Sequence, residues 1–196
     1  MIVFRQTDRR YPFVWESPAQ PAGRWHGEGE GPAHYFADTP DGAWAEFLRH
    51  EEIRDPADLA TVRRTLWAIE IDDGEPTMAK LDRETMTGGP DAWRLCQKHA
   101  RERRTRGTTR LQAPSAALQP GAARGWMVRS GLEPAAPRDG QVIVDYTPAP
   151  RFVAWRCVDE GCPPSDLLPR VHHIGSASVR CRTGLPPSRR AHSVRM

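Results

Sequence analysis

The fold is decided where residues 34–52 read HYFADTPDGAWAEFLRHEE, because a strand pattern gives way to a helix pattern within this stretch. Residues 34–37 form a short apolar run that predicts a buried strand. Thr39 then suits a helix N-cap, Pro40 suits the first helical position, and an acidic residue follows in the first turn. The pattern predicts a helix from Pro40 to about residue 52.

One face of this predicted helix is apolar at the helical period, and its members are Ala43, Trp44, Phe47 and Leu48. Glu46 lies at the border of that face rather than opposite to it. Its carboxylate can therefore point into a cleft.

Strand and helix patterns alternate along the rest of the chain. Strands interleaved with helices predict an α+β domain, a compact mixed sheet with flanking helices. Further strands are predicted at residues 2–4, 65–71, 125–128, 141–146 and 151–156, and further helices at 56–62 and 91–106.

A length of 196 residues suits one domain with a hydrophobic core, plus tails. We predict the domain at residues 1–150 and a C-terminal extension at 151–196, in which a last strand precedes a disordered basic tail. From Cys162 onward the chain is rich in proline, serine and arginine. Such a composition predicts too little buried apolar surface to offset the entropy of ordering.

No apolar run is long enough for a transmembrane helix, and residues 1–5 lack the pattern of a secretory signal. A cytoplasmic protein without a membrane partner is therefore expected, with its four cysteines reduced.

The net charge of +3 is unevenly distributed, because residues 101–106 and the last seventeen residues are strongly basic. A solvated helix end and a loose tail account for both runs. Nucleic-acid binding is the alternative, although no recognition motif accompanies the charge.

Four side chains could form an anion-binding catalytic site if they converge. Arg24 offers a fork of donors that matches phosphate oxygens, and Tyr35 offers a ring for stacking. Glu46 could stabilise positive charge at an anomeric carbon, and Ser115 could bind a phosphate, a ribose hydroxyl or a nucleophile. Each has an ordinary alternative: a solvated arginine, a core tyrosine, a solvated helix glutamate and a serine N-cap after a proline.

Two other sets of residues suggest chemistry. A zinc site could form from Cys157, Cys162, Cys181 and the histidine pair at 172–173, but the spacing lacks a second tight pair. Cys96 and His99 on one helix resemble a nucleophile and a base, yet their offset is more typical of core packing.

Several residues recur together in the order of a known family. Residues 23–25 (GRW), 37–43 (ADTPDGA) and 113–116 (APSA), together with Tyr35 and Glu46, resemble the RES domain family. That family is named for its arginine, glutamate and serine.

The resemblance covers roughly residues 2–130 and implies a fold similar to the ADP-ribosyltransferases, with a cleft for NAD. Members act as toxins of bacterial toxin–antitoxin pairs that degrade NAD by phosphorolysis or hydrolysis, and some relatives ADP-ribosylate a protein. The implied partners are NAD, inorganic phosphate and an antitoxin with a helix-turn-helix domain, so that nucleic acid is contacted only through the antitoxin. NAD is implied as substrate, with no permanently bound cofactor and no metal.

The resemblance also implies residue roles. Arg24 would hold the NAD phosphates, with Arg5 contributing, and Tyr35 would pack against nicotinamide or ribose. Glu46 would assist departure of nicotinamide, and Ser115 would help to place the nucleophile.

The implied function is cleavage of the nicotinamide–ribose bond by an NAD phosphorylase or glycohydrolase. The alternatives are a protein ADP-ribosyltransferase and a catalytically inactive RES-like binding module. The sequence departs from the family pattern at His26, where many members have asparagine. The segment beyond Tyr146 lies outside the resemblance.

Overall fold

The computed structural model describes residues 1–17, 19–72, 74–128 and 131–174. Within these ranges no helix is long and apolar enough to cross a membrane. The strands are β1 Ile2–Thr7, β2 His34–Ala37, β3 Arg64–Glu70, β4 Thr77–Met78, β5 Arg110–Pro114, β6 Trp126–Val128, β7 Leu132–Pro134, β8 Gln141–Asp145 and β9 Val153–Gly161. The α-helices are α1 Pro40–His50, α2 Pro56–Leu59, α3 Arg83–Thr87 and α4 Trp93–Thr105, and the 3-10 helices are Pro90–Ala92, Ala149–Arg151 and Ser165–Arg170.

Seven of the strands form one sheet in the order β4-β5-β8-β2-β1-β3-β9. β4 and β5 are parallel, whereas the other neighbouring pairs are antiparallel. β6 and β7 form a separate two-stranded ribbon. The predicted α+β class with a mixed sheet and flanking helices is confirmed.

The change from strand to helix occurs where the sequence predicts it. The Thr39 hydroxyl accepts a hydrogen bond of 3.0 Å from the Gly42 amide, which satisfies one free N–H of the first turn of α1. The helix ends at His50, about two residues earlier than predicted. Glu52 has a φ of 53°, and this left-handed conformation cannot continue a right-handed helix.

The apolar face of α1 packs on the sheet. Ala43, Trp44 and Leu48 are buried in one cluster with Leu66 of β3, while Phe47 packs at its edge. Burying a side chain of this size stabilises a fold by about 1.5–3 kcal/mol, so the helix is held firmly against β1, β2 and β3.

The C-terminal segment corrects one prediction from composition. Leu167, Leu168 and Val171 are buried in the same cluster as α1, so the expectation of little buried surface from Cys162 onward is wrong for residues 163–174. Three apolar residues in and just after a 3-10 helix are too few for a composition or periodicity signal, yet they reach an existing core. The predicted tail at residues 175–196 lies outside the described residues.

One ion pair is buried inside the sheet. Asp145 of β8 is fully buried, and its Oδ2 accepts hydrogen bonds of 2.8 Å from Nε and Nη2 of Arg110 on β5. Arg110 also contacts the exposed Asp72 at 2.9 Å. The pair links β5 and β8 at the end of their shared register, because Arg110 lies directly opposite Asp145.

Candidate active site

A cleft of about 860 Å³ opens where β1 and β2 separate. These strands share a single register pair, Phe4 with Ala37. Beyond it the two strands diverge, and Arg5 from β1 and Tyr35 from β2 both line the cleft. The volume lies within the range of about 300–1,000 Å³ that is typical of small-molecule sites.

Glu46 and Ser115 meet at one side of this cleft. Glu46 projects from α1 and lines the cleft, and the Ser115 hydroxyl donates to Glu46 Oε1 at 3.2 Å. The same hydroxyl oxygen accepts from the amides of Ala117 and Leu118, at 3.1 and 3.4 Å. Because its lone pairs serve those amides, its proton is directed to the carboxyl group. Ser115 thus caps a turn, as its ordinary alternative expects, and also orients Glu46.

The environment of Glu46 favours its neutral form. Burial raises its pKa above the ordinary carboxyl value, because a charged carboxylate is poorly solvated there. The positive charges of Arg49 and Arg24 and the Ser115 hydrogen bond lower the pKa, but they do not cancel the effect of burial. A perturbed carboxyl group in a cleft is typical of a functional site.

Arg24 lines the cleft, and one arm of its guanidinium is hydrogen-bonded. Its Nη2 donates to the Gly88 carbonyl at 2.8 Å, and its guanidinium lies 5.8 Å from the centre of the Trp93 ring. Nη1 is buried without a hydrogen-bond partner in the described part of the chain. Since a buried unpaired donor costs about 1–3 kcal/mol, this atom suits an acceptor that a ligand brings.

Tyr35 holds the loop that carries Arg24. Its hydroxyl accepts the Trp25 amide at 2.8 Å and contacts His26 Nδ1 at 2.9 Å. His26 Nε2 lies 2.9 Å from the Pro21 carbonyl, so Nε2 carries a proton and, in the neutral ring, Nδ1 accepts from the tyrosine. Burial lowers the pKa of His26, which favours that neutral ring. His26, the departure from the family pattern, therefore orients Tyr35.

Arg5 lies on the other face of β1 from Phe4, because side chains alternate along a strand. Burial lowers its pKa, and within the described residues its guanidinium makes no hydrogen bond or ion pair. Arg5 lines the cleft, and its contribution to phosphate binding stays a prediction. A guanidinium without a counter-charge favours an anionic ligand.

Arg49 was missed by the sequence interpretation. It is only 6% exposed, and it donates to four carbonyls, those of Ala116, His172 at 2.5 Å, Thr87 at 3.3 Å and Gly88 at 3.5 Å. It thereby joins α1 to three separate segments around Glu46. The sequence could have indicated this residue, because Arg49 follows Glu46 by three positions and residues three apart on a helix share a face.

Helix α4 uses part of its basic run to hold the glycine-rich loop. Arg101 contacts the Glu30 carboxylate at 2.6 Å, and Arg104 donates to the Glu30 carbonyl at 2.6 Å. Gln97 donates to the Gly23 carbonyl at 2.9 Å. These arginines have intramolecular partners, which weakens the case for a nucleic-acid surface here.

The other candidate chemistries gain no support. No group of three potential metal ligands comes together among the described residues, and Cys181 lies outside them. Cys96 is fully buried, and burial raises the pKa of its thiol. A buried thiol with a raised pKa is a poor nucleophile.

The molecule is thus an α+β protein with several arginines in its cleft and a half-buried carboxyl group, that of Glu46, at its side. The RES domain model matches residues 3–155, and the chain belongs to the RES domain family. The match continues past residue 130, where the sequence resemblance ends, into β9. The domain boundary at residue 150 stays a prediction.

The fold is similar to that of the toxin MbcT in the crystal structure of the M. tuberculosis MbcT–MbcA toxin–antitoxin complex. The identity is 15%, the TM-score is 0.53, and the similarity covers 80% of this chain and 84% of that one. Among curated proteins, none matches this chain.

Proposed function

We propose that this protein is an NAD-consuming enzyme that cleaves the bond between nicotinamide and ribose and passes ADP-ribose to phosphate or water. The observation that carries the proposal is the half-buried Glu46, whose carboxyl group is oriented by Ser115 and flanked by Arg24 in one cleft. RES domain members that degrade NAD supply the reaction class.

Two guanidinium groups suit the diphosphate of NAD. Arg24 has a buried donor, Nη1, without a partner among the described residues, and Arg5 has no counter-charge there. Both line the cleft, Arg5 from β1 and Arg24 from the loop that precedes β2. A diphosphate would satisfy both, and its binding energy could be used to orient the reacting ribose.

The chemical task left to Glu46 is modest. The bond from the ribose anomeric carbon to the ring nitrogen breaks, its electron pair leaves with nicotinamide, and the cationic ring becomes neutral without a proton. Positive charge develops on the ribose, facing the carboxylate of Glu46. An oxygen of water or phosphate then bonds to the anomeric carbon, and its proton passes to Glu46. The cationic ring of bound NAD also lowers the pKa of Glu46 and so favours the charged form.

A toxin role follows from the same relationship. Members of the family are paired with antitoxins, and the similar fold of MbcT occurs in a complex with its antitoxin. We propose a partner protein with a helix-turn-helix domain that covers the cleft. A neighbouring reading frame for such a protein, and copurification of the two chains, would support this part.

The test is nicotinamide release from NAD by the pure protein, freed of any partner, with and without phosphate. Formation of a phosphorylated ADP-ribose identifies phosphate as acceptor, and free ADP-ribose identifies water. Transfer of label from NAD to a protein would instead support the protein ADP-ribosyltransferase. No release by folded protein in either buffer would refute the proposal and leave a binding module.

A further inference from the structure

Two large aromatic side chains are exposed at the rim of the cleft. Tyr11 is 45% exposed and Trp15 is 60% exposed, and both line the same cleft as Glu46. Their ring centres are 5.2 Å apart, with the planes tilted by 36°. We call this pair the aromatic ledge. Adjacent exposed aromatic rings beside a cleft are typical of a binding surface rather than of a fold requirement.

The aromatic ledge lies away from Glu46 along the cleft. β1 leaves its pairing with β2 at Phe4 and continues to Thr7, which is about 10 Å at a rise of about 3.3 Å per residue. A turn closed by the Tyr11 amide and the Asp8 carbonyl, at 3.0 Å, then leads to the ledge. Arg5, in the same strand, lines the cleft as well.

We propose that the aromatic ledge binds the adenine ring of a dinucleotide whose other end reaches Glu46. The inference rests on the proposed function, since it names how the same cleft selects its substrate. A dinucleotide has a flat ring at each end and a diphosphate between them. The cleft is lined by matching groups: the aromatic ledge, the unpaired guanidinium of Arg5, and the carboxyl group of Glu46.

The charges near the aromatic ledge are compatible with a neutral flat ring. Asp8, which also lines the cleft, is held by Arg10 through hydrogen bonds of 2.9 and 3.0 Å. The guanidinium of Arg10 lies 5.8 Å from the centre of the Tyr11 ring. The free face of Trp15 is then the surface available to a base, and stacking on an indole needs no hydrogen-bond code.

The kinetic test compares NAD with nicotinamide mononucleotide, which carries the reacting bond but no adenine. Trp15→Ala should lower kcat/KM for NAD about tenfold, chiefly through KM, because one aromatic–base stack is lost. It should leave kcat/KM for the mononucleotide unchanged. Trp15→Phe should restore most of the NAD value. An equal loss of kcat/KM for both substrates, or no loss of kcat/KM for NAD, would overturn the proposal.

The matched control is Trp155→Ala. Trp155 is 51% exposed on β9 but does not line the cleft. Its removal should leave kcat/KM unchanged for both substrates. Both variants should keep the wild-type melting temperature. If Trp155→Ala lowers kcat/KM for NAD as much as Trp15→Ala does, the loss is a general effect of removing a surface tryptophan. That result would overturn the assignment.

A binding measurement separates this inference from the proposed function. Calorimetry with ADP-ribose requires no catalysis, and wild type should bind about tenfold more tightly than Trp15→Ala, while ribose 5-phosphate should not distinguish them. If wild type releases no nicotinamide yet shows this difference, the proposed reaction fails and the aromatic ledge stands. If ADP-ribose binds both proteins equally, or binds neither, the aromatic ledge fails. Unchanged nucleotide binding with weakened capture of a helix-turn-helix partner would assign the surface to that partner.

Discussion

Glu46→Gln should make the fold more stable while it removes activity. Glutamine keeps the size of the side chain and an oxygen that can accept from Ser115, but it carries no charge. In the wild type, burial raises the pKa of Glu46 more than Arg49 and Arg24 lower it. The neutral form is therefore the better-accommodated one, and an amide reproduces it.

The size of the effect follows from linkage between pKa and stability. Each unit by which the folded-state pKa is raised costs about 1.4 kcal/mol once the group is charged. In a chain of this length each kcal/mol corresponds to about 2–4 °C in melting temperature. Below the unfolded pKa of about 4.3 both proteins carry a neutral side chain and should melt alike. As pH rises through the raised pKa of Glu46, wild type loses stability and the difference reaches its full size.

The assay pairs thermal denaturation, from acid to mildly alkaline buffer, with nicotinamide release. Activity of Glu46→Gln should fall about 10²–10⁴-fold, the usual contribution of a positioned acid or base. Glu70→Gln, which removes an exposed carboxylate on β3, is the control. It should change neither the melting temperature nor the rate of nicotinamide release. The reasoning is refuted if Glu46→Gln melts at or below the wild-type temperature at neutral pH, or if the difference is the same at every pH. Full activity would remove Glu46 from the mechanism.

Three further changes test other parts of the site and fold. Arg24→Lys replaces a planar fork with a point charge, so KM for NAD should rise about tenfold with the melting temperature little changed; an unaltered KM would contradict phosphate binding by this residue. Ser115→Ala removes a hydrogen bond that lowers the pKa of Glu46, so the pH at which activity reaches half its maximum should move upward; an unmoved pH–rate profile would speak against this orienting role. Asp145→Ala leaves the buried Arg110 with the exposed Asp72 as its remaining carboxylate partner and should cost about 3–5 kcal/mol in urea denaturation, a loss that an exposed pair would not produce.

The parts of the molecule that the sequence predicted are those governed by local rules. Thr39 and Pro40 mark the start of α1 because capping depends on the next three residues alone. The spacing of apolar residues likewise predicted the face that packs on the sheet. The resemblance to the RES family predicted that Arg24, Glu46 and Ser115 belong to one site. In the structure, Ser115 contacts Glu46.

The parts that were missed depend on distant partners. The sequence analysis predicted no strand at Arg110, yet Arg110 begins β5, because Asp145, thirty-five positions later, neutralises it inside the sheet. Arg49 received no role from the sequence, and only the folded chain supplies its carbonyl partners. Leu167 and Leu168 stand in a stretch of polar composition, and nothing local indicates that α1 will cover them.

The single residue pair between β1 and β2 has a mechanical consequence. The sheet consists of two halves, β4-β5-β8-β2 and β1-β3-β9, that share one register pair. Two apolar clusters join them: the one beneath α1 and another that contains Val3 of β1 and Phe36 of β2. A ligand that touches Arg5 on one half and Tyr35 on the other would add a further link at the open end. Bound substrate would then restrain the relative motion of the two halves. The amide protons of residues 5–7 should therefore exchange more slowly with solvent when substrate is bound.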